Sequence, residues 1–237
     1  KRYQIPRAQL IIADIPYNIG TNAYGSRSDW YIDGDNKNGE SNKAGKTFFD
    51  TDDDFKIYNF FQFCVRLLKK EPKETGKAPC MIIFCSWQQL NEIREYAKGF
   101  GFKHAQPLFF IKKTSSQVLK ANMRVCGATE TAIVLYRDKL PKFNNNGRMI
   151  LDWFEWDRGG NYPKIHPTQK PVTLLKQLIQ IYTDIGDVVI DPVAGSGSTL
   201  RACAELNRSC YGFEIKKEFY NKSKKLMLSD VNLALEI

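Results

Sequence analysis

The chain has 237 residues, enough for one large domain or two small ones. Apolar residues make up 43 %, charged residues 26 % and aromatics 13 %, which excludes a disordered chain, and 16 glycines without a period of three exclude a collagen-like one. Its 35 Lys and Arg exceed its 26 Asp and Glu, a net charge of +9. No apolar run approaches the ~18–20 residues that cross a membrane, and no signal-peptide pattern opens the chain. A soluble, cytoplasmic protein without membrane contact is expected. The chain begins at Lys1 rather than Met, and a trimmed or missing segment before it is expected. Six cysteines form no C-x-x-C pair, so buried reduced thiols are expected, with no metal site.

The basic excess is localised. Residues 1–60 carry a net −1, residues 61–150 a net +10 and residues 151–237 a net 0. A localised basic surface attracts polyanions such as nucleic acid; a lysine-rich solvated face has the same composition.

In chain order, Leu10-Ile-Ile-Ala-Asp14 reads as a buried strand that presents Asp14 at its carboxyl end. Residues 18–54, rich in Asn, Gly, Ser and Asp, read as a long loop. Ile57, Phe60, Phe61, Cys64, Leu67 and Leu68 have helical spacing. A second buried strand runs from Cys80, and Ser86 caps a helix that reaches about Lys98. Strands follow from Pro107 to Lys112 and from Thr131 to Arg137. Residues 138–165 read as irregular, with Trp153, Phe154 and Trp156 as a packing cluster, favoured, or a wedge. A helix runs from Val172 to Tyr182 and a strand from Val188 to Asp191. After these come a helix over 198–207, a strand from Ser209 to Phe213 and a last helix from Lys216 to Leu228. Alternating strands and helices predict an α/β domain with a mostly parallel sheet.

Two places carry chemistry. In Asp191-Pro-Val-Ala-Gly-Ser-Gly197 a strand enters a turn with Gly195 and Gly197 and then a helix. Such glycines admit a ligand to main-chain N–H groups. No Lys follows as in a P-loop, and the third Gly of the dinucleotide fingerprint is absent. Glu214 ends the next strand, where an acid can accept hydrogen bonds from the ribose hydroxyls of a nucleoside cofactor. In Asp14-Ile-Pro-Tyr17 a carboxylate, a carbonyl at a Pro-stiffened turn and an aromatic plate suit an amino group on a planar base.

Asp14-Ile-Pro-Tyr17, His166-Pro-Thr-Gln-Lys-Pro171 and Asp191-Pro-Val-Ala-Gly-Ser-Gly197, in this order, resemble the S-adenosylmethionine-dependent DNA amino-methyltransferases of adenine N6 and cytosine N4, beta-group arrangement. The resemblance covers nearly the whole chain. It implies a Rossmann-like class I methyltransferase fold with helices on both faces of a twisted sheet. With only 13 residues before Asp14, one edge strand of the usual seven is expected to be missing. The chain is expected to be a single domain, 1–237, with a long loop at 18–55 and a short target-recognition region at 138–165.

The resemblance also implies roles. Asp14 and the Ile15 carbonyl, with Pro16 stiffening the turn, would hold the target amino group, and Tyr17 would stack on a flipped base. His166, Thr168 and Lys170 would close over the amino-acid part of the cofactor, with Lys170 facing its carboxylate. Asp191, Pro192, Gly195, Ser196 and Gly197 would lie against the cofactor, and Glu214 would bind its ribose. No metal is called for. Asp at the first tetrad position points to adenine rather than cytosine. A cytosine-N4 or RNA amino-methyltransferase and a catalytically silent nucleic-acid-binding subunit are the alternatives. Ile15 and Val193 depart from the usual Pro and Phe of the two motifs.

DNA is the expected partner, in a prokaryotic or phage-infected cell, with a homodimer or a partner subunit as a further expectation. Lys112, Lys113, Lys120 and Arg124 are expected beside the DNA backbone. The 18–54 loop, through Arg27, is expected to share in reading the sequence.

Overall fold

The computed structural model describes residues 4–18, 55–113, 115, 125–157, 159–165 and 168–231. Seven strands form one sheet: β1 (Leu10–Asp14), β2 (Cys80–Cys85), β3 (His104–Ile111), β4 (Thr129–Tyr136), β5 (Trp153–Glu155), β6 (Val188–Asp191) and β7 (Ser209–Gly212). Their order across the sheet is β5-β3-β4-β2-β1-β6-β7. Only β4 runs against its neighbours, β2 and β3; every other pairing is parallel.

Strict alternation along the central strands sends side chains to two separate cores. Leu10 and Ile12 of β1, Cys80, Ile82 and Phe84 of β2, and Val189 of β6 face one core, which α3 (Val172–Tyr182) and α4 (Ser198–Glu205) cover. Ile11 and Ala13, Met81, Ile83 and Cys85, and Ile190 face the other. There α1 (Ile57–Leu67) and α2 (Leu90–Gly99) lie over the sheet. Phe61 of α1 is fully buried in that second core, stacked on Phe100 at 5.6 Å and tilted against Phe102 at 6.1 Å.

Most expected elements stand within a residue or two of their places. The expected helix start at Ser86 is a 3₁₀ turn over Trp87–Gln89 that precedes α2. The last helix is α5 (Lys217–Lys222), which continues as a π-helical turn over Ser223–Met227. The larger difference lies at the sheet edge. Among the described residues the sheet has seven strands, not one short, because Trp153–Glu155, expected to be irregular, pairs with Phe109–Ile111 of β3. Phe154 and Trp156 pack on the first core, as a packing cluster requires, while Trp153 faces outward at 45 % exposure.

Residues 138–148, expected within the target-recognition region, are fastened to the pole where the parallel strands begin. Pro141 bridges to Ala78, just ahead of β2. The Asn144 main-chain N–H donates to the Ile181 carbonyl at 2.7 Å, and its side chain to the Thr183 carbonyl at 2.9 Å, at the end of α3.

Replacing Phe61 by Ala removes the stacked ring that joins α1 to the residues after α2. The expected cost is about 3–5 kcal/mol, read as a lowered urea midpoint at unchanged slope.

Candidate active site

β1 and β6 lie side by side and parallel, Leu10 opposite Val189 and Ile11 opposite Ile190. From β1 the chain leaves through α1 toward β2; from β6 it leaves through α4 toward β7, over the opposite face. The crevice between two strands whose connections diverge is where open α/β sheets bind ligands, at the carboxyl ends. A cavity of about 410 Å³ opens there, within the range of small-molecule sites.

Its β6 side is a turn bound to itself. The Gly197 N–H donates to the Ala194 carbonyl at 2.8 Å, and the Ala194 N–H to the Phe213 carbonyl at 2.8 Å. Gly195 and Gly197 both have positive φ, +49° and +77°. They differ in what surrounds them. A Cβ on Gly195 would meet nothing closer than the Val193 carbonyl at 3.9 Å, so this backbone faces open cavity. A Cβ on Gly197 would press on Ser223 at 3.2 Å, so Gly197 serves close packing of the π-helical turn and does not line the cavity. Pro192 and Ser196 line the wall with Gly195. Glu214 accepts the Gly195 N–H at 2.8 Å on one oxygen and the Lys216 N–H at 2.7 Å on the other. A carboxylate has about four acceptor positions, so each oxygen retains capacity for a hydroxyl. Val193, Phe213, Ile215 and Phe219 add apolar wall.

Asp191 is buried beneath this turn, its carboxylate accepting the Val193 N–H at 3.0 Å. Burial pushes its carboxyl up to about 7, against the opposing hydrogen bond from Thr199.

On the β1 side, Asp14, Ile15, Pro16 and Tyr17 line the same cavity. The turn is pinned by Gln89, whose side-chain amide donates to the Pro16 carbonyl at 2.9 Å while its oxygen accepts the Ser86 N–H at 3.0 Å. Sequence reading took Ser86 as a helix cap; the Gln three residues on completes a capping box and so orients Gln89 toward the tetrad.

Lys170 has a different place from the expected one. Its ammonium is 2.6 Å from Asp14 Oδ2 and 3.1 Å from Glu130 Oε2, and its side chain is 5 % exposed. It already has two carboxylate partners from the chain itself, so a cofactor carboxylate is not needed to neutralise it. Glu130, at the start of β4, also pairs with Lys112 and accepts the Tyr17 hydroxyl at 3.4 Å. Two carboxylates and two ammonium groups thus form one neutral, largely buried set. Burial opposes the charge on Lys170, but Asp14 and Glu130 outweigh it and hold the ammonium charged. Burial also works against Glu130, yet Lys170 and Lys112 keep its carboxyl below the usual range. The two carboxyls shift in opposite directions: burial, helped by Glu130, raises Asp14 despite Lys170. Burial, with Asp14 and Glu130, keeps the Tyr17 phenol protonated well above its ordinary value. Among the described residues, Asp14 Oδ1 is buried with no hydrogen-bond donor.

Lys112 is a member of this set, and its ammonium also lies over the Trp156 ring at 4.7 Å. It is therefore not the free phosphate contact expected from the basic stretch. Lys113 is exposed just beyond β3. Thr168 lines the cavity. Arg27, Lys120, Arg124 and His166 lie outside the described residues. Glu130, Gln89 and the apolar wall from Phe213 to Phe219 are site residues that sequence reading did not single out.

An Asn at Asp191 can stay neutral at any pH. Since burial raises the folded-state value of Asp191 above its unfolded one, the stability linked to its proton is full below about pH 4 and lost as pH rises through 7. Asp191→Asn should therefore melt several degrees above wild type at pH 8, with the gap closing toward pH 4, measured by thermal denaturation at both values.

The chain matches the DNA methylase family, the N6 and N4 amino-methylases, over residues 8–225. It is 25 % identical over 246 aligned residues to the DNA adenine methyltransferase YhdJ of Escherichia coli K12, covering 92 % of this chain and 76 % of the relative. It is 48 % identical over 161 residues to the type II methyltransferase M.HindIII of Haemophilus influenzae, covering 62 % of this chain and half of that protein. The crystal structure of the M1.HpyAVI complex with SAM superposes with a TM-score of 0.66 at 24 % identity, over 94 % of this chain and 89 % of that one. The motif order, the sheet and the family match agree: the chain belongs to the DNA methylase family.

Proposed function

We propose that the protein transfers the methyl group of S-adenosylmethionine to N6 of an adenine flipped out of duplex DNA. The observation that carries the reading is Asp14, whose buried Oδ1 lacks a donor among the described residues and which lines the same cavity as Gly195 and Glu214. Buried carboxylate oxygens are ordinarily hydrogen-bonded, and an amino group on a planar base supplies the missing donor.

The cofactor's chemistry fits the β6 side. Glu214 offers acceptors to a ribose, Gly195 opens the backbone, and Val193, Phe213, Ile215 and Phe219 give apolar surface for a purine ring. When bound, S-adenosylmethionine supplies a methyl carbon already attached to a sulfonium, so the protein need not activate it.

The remaining demand is on the amine, whose lone pair is delocalised into the ring. Asp14 Oδ1 and the Ile15 carbonyl would accept its two N–H groups and turn the lone pair toward the methyl carbon. Positive charge would build on the base as the N–C bond forms. A carboxylate at that edge stabilises this charge and is the acceptor at hand for the departing proton. Tyr17, held protonated, presents its face to the ring rather than a competing charge. Adenine is favoured over cytosine by Asp at the first tetrad position and by the adenine specificity named for YhdJ.

Asp14→Asn should lower the single-turnover rate about 100-fold or more, with S-adenosylmethionine affinity within a few-fold of wild type by calorimetry. Digestion of labelled product separates the substrates: N6-methyladenine in DNA is expected. N4-methylcytosine as the sole product, or label in RNA alone, would replace the adenine reading.

A further inference from the structure

Glu130 lies outside all three sequence motifs, yet it contacts Tyr17 of the tetrad directly and Asp14 through Lys170, and it also holds Lys112. Its Oε2 is 3.1 Å from Lys170 Nζ and accepts the Tyr17 hydroxyl at 3.4 Å, and its Oε1 pairs with Lys112. Lys170 in turn holds Asp14 Oδ2 at 2.6 Å and leaves Oδ1 unpaired among the described residues. The lysine ammonium also lies between aromatic faces, 5.2 Å from the Phe84 ring centre and 5.5 Å from that of Tyr17.

A lone Asp14–Lys170 pair would be a poor base acceptor. An undivided ammonium would draw toward both carboxylate oxygens, since a compact, rotatable ammonium has no fixed fork to hold it on one. A second carboxylate on the far side divides its hydrogen bonds. We propose that Glu130 is a positioning residue for methyl transfer: it holds Lys170 away from Asp14 Oδ1 and fixes the Tyr17 ring, so that one oxygen and one aromatic face stay directed at the incoming base. This rests on the amino-methyl transfer proposed above. Lys112 balances the second carboxylate, which explains why a lysine in a basic stretch of sequence is turned inward onto Trp156. Glu130 touches no reacting atom. Its effect passes through Lys170 and Tyr17, and a loss of about 1 Å in such placement can cost as much as ~100-fold in rate.

The test compares wild type, Glu130→Gln, Lys170→Met, the Glu130→Gln/Lys170→Met pair and the Glu130→Gln/Lys112→Met pair. Single-turnover methyl transfer to duplex DNA, S-adenosylmethionine affinity by calorimetry and melting temperature are measured for each. Glu130→Gln is expected to lower the transfer rate about 10- to 100-fold with cofactor affinity unchanged. Adding Glu130→Gln to Lys170→Met is expected to cost less than threefold more, because the residue acts through that lysine. Glu130→Gln/Lys112→Met restores the charge balance, so its melting temperature should recover while its rate stays low. This pair keeps the test open if Glu130→Gln alone folds poorly. Recovery of the rate together with stability would show a structural role and overturn the proposal, as would a wild-type rate for Glu130→Gln. If wild type transfers no methyl group, or Asp14→Asn transfers at the wild-type rate, the amino-methyl transfer reading itself fails and takes this one with it.

Discussion

Everything at the site follows from one pairing, β1 beside β6, parallel and inside the sheet. The two strands are far apart in sequence, and each ends in an aspartate, Asp14 and Asp191. Side-by-side pairing brings both strand ends to one pole, and the divergence of their connecting helices leaves a crevice between them. One motif then faces the other across about 410 Å³ without any element having to bend toward it. The two cores serve this pairing. Leu10 and Val189 anchor it from one face, Ile11 and Ile190 from the other, all fully buried.

The price of the arrangement is charge removed from water. Asp14, Glu130, Lys170 and Lys112 would each be costly alone in such a place, and removing one partner from a buried pair typically costs about 3–5 kcal/mol. An apolar set of the same volume would be no less stable. The set persists with zero net charge, which keeps the desolvation tolerable, and with one acceptor on Asp14 unpaired among the described residues. That unpaired acceptor is the part a purely structural network would not keep.

What could be read from residues alone was whatever depends on local order. The run Leu10-Ile-Ile-Ala-Asp14, the stripe from Val172 to Tyr182 and the Gly-x-Gly turn each declare themselves within ten or so residues, and their elements stand where expected. Trp153–Glu155 did not, because three residues carry no period; it is a strand only because β3 offers a free edge. Glu130 belongs to none of the three motifs and carries no local signal. Its meaning depends on Lys170, forty residues later, and no spacing rule connects them. The family resemblance implies a place for Lys170 against a cofactor carboxylate. The fold instead carries the start of α3 across the crevice to the tetrad.

The basic excess of residues 61–150 changes meaning for the same reason. A linear stretch that runs through β2, β3 and β4 crosses the molecule from pole to pole, so its charges cannot form one track. Lys103 pairs with Asp138 at 2.6 Å, Arg137 lies over the Phe102 ring at 4.9 Å, and Lys142 pairs with Asp184, all at the pole opposite the cavity. At the cavity's own pole Lys112 is turned inward, and Lys113 is exposed. Net charge is therefore a weak guide to where a duplex would lie on this protein. Under the transfer proposed above, a stronger guide is Asp14, whose Oδ1 has no donor among the described residues: a base that reached it would carry the duplex over the carboxyl ends of β1 and β6, where cations around that rim would meet its phosphates.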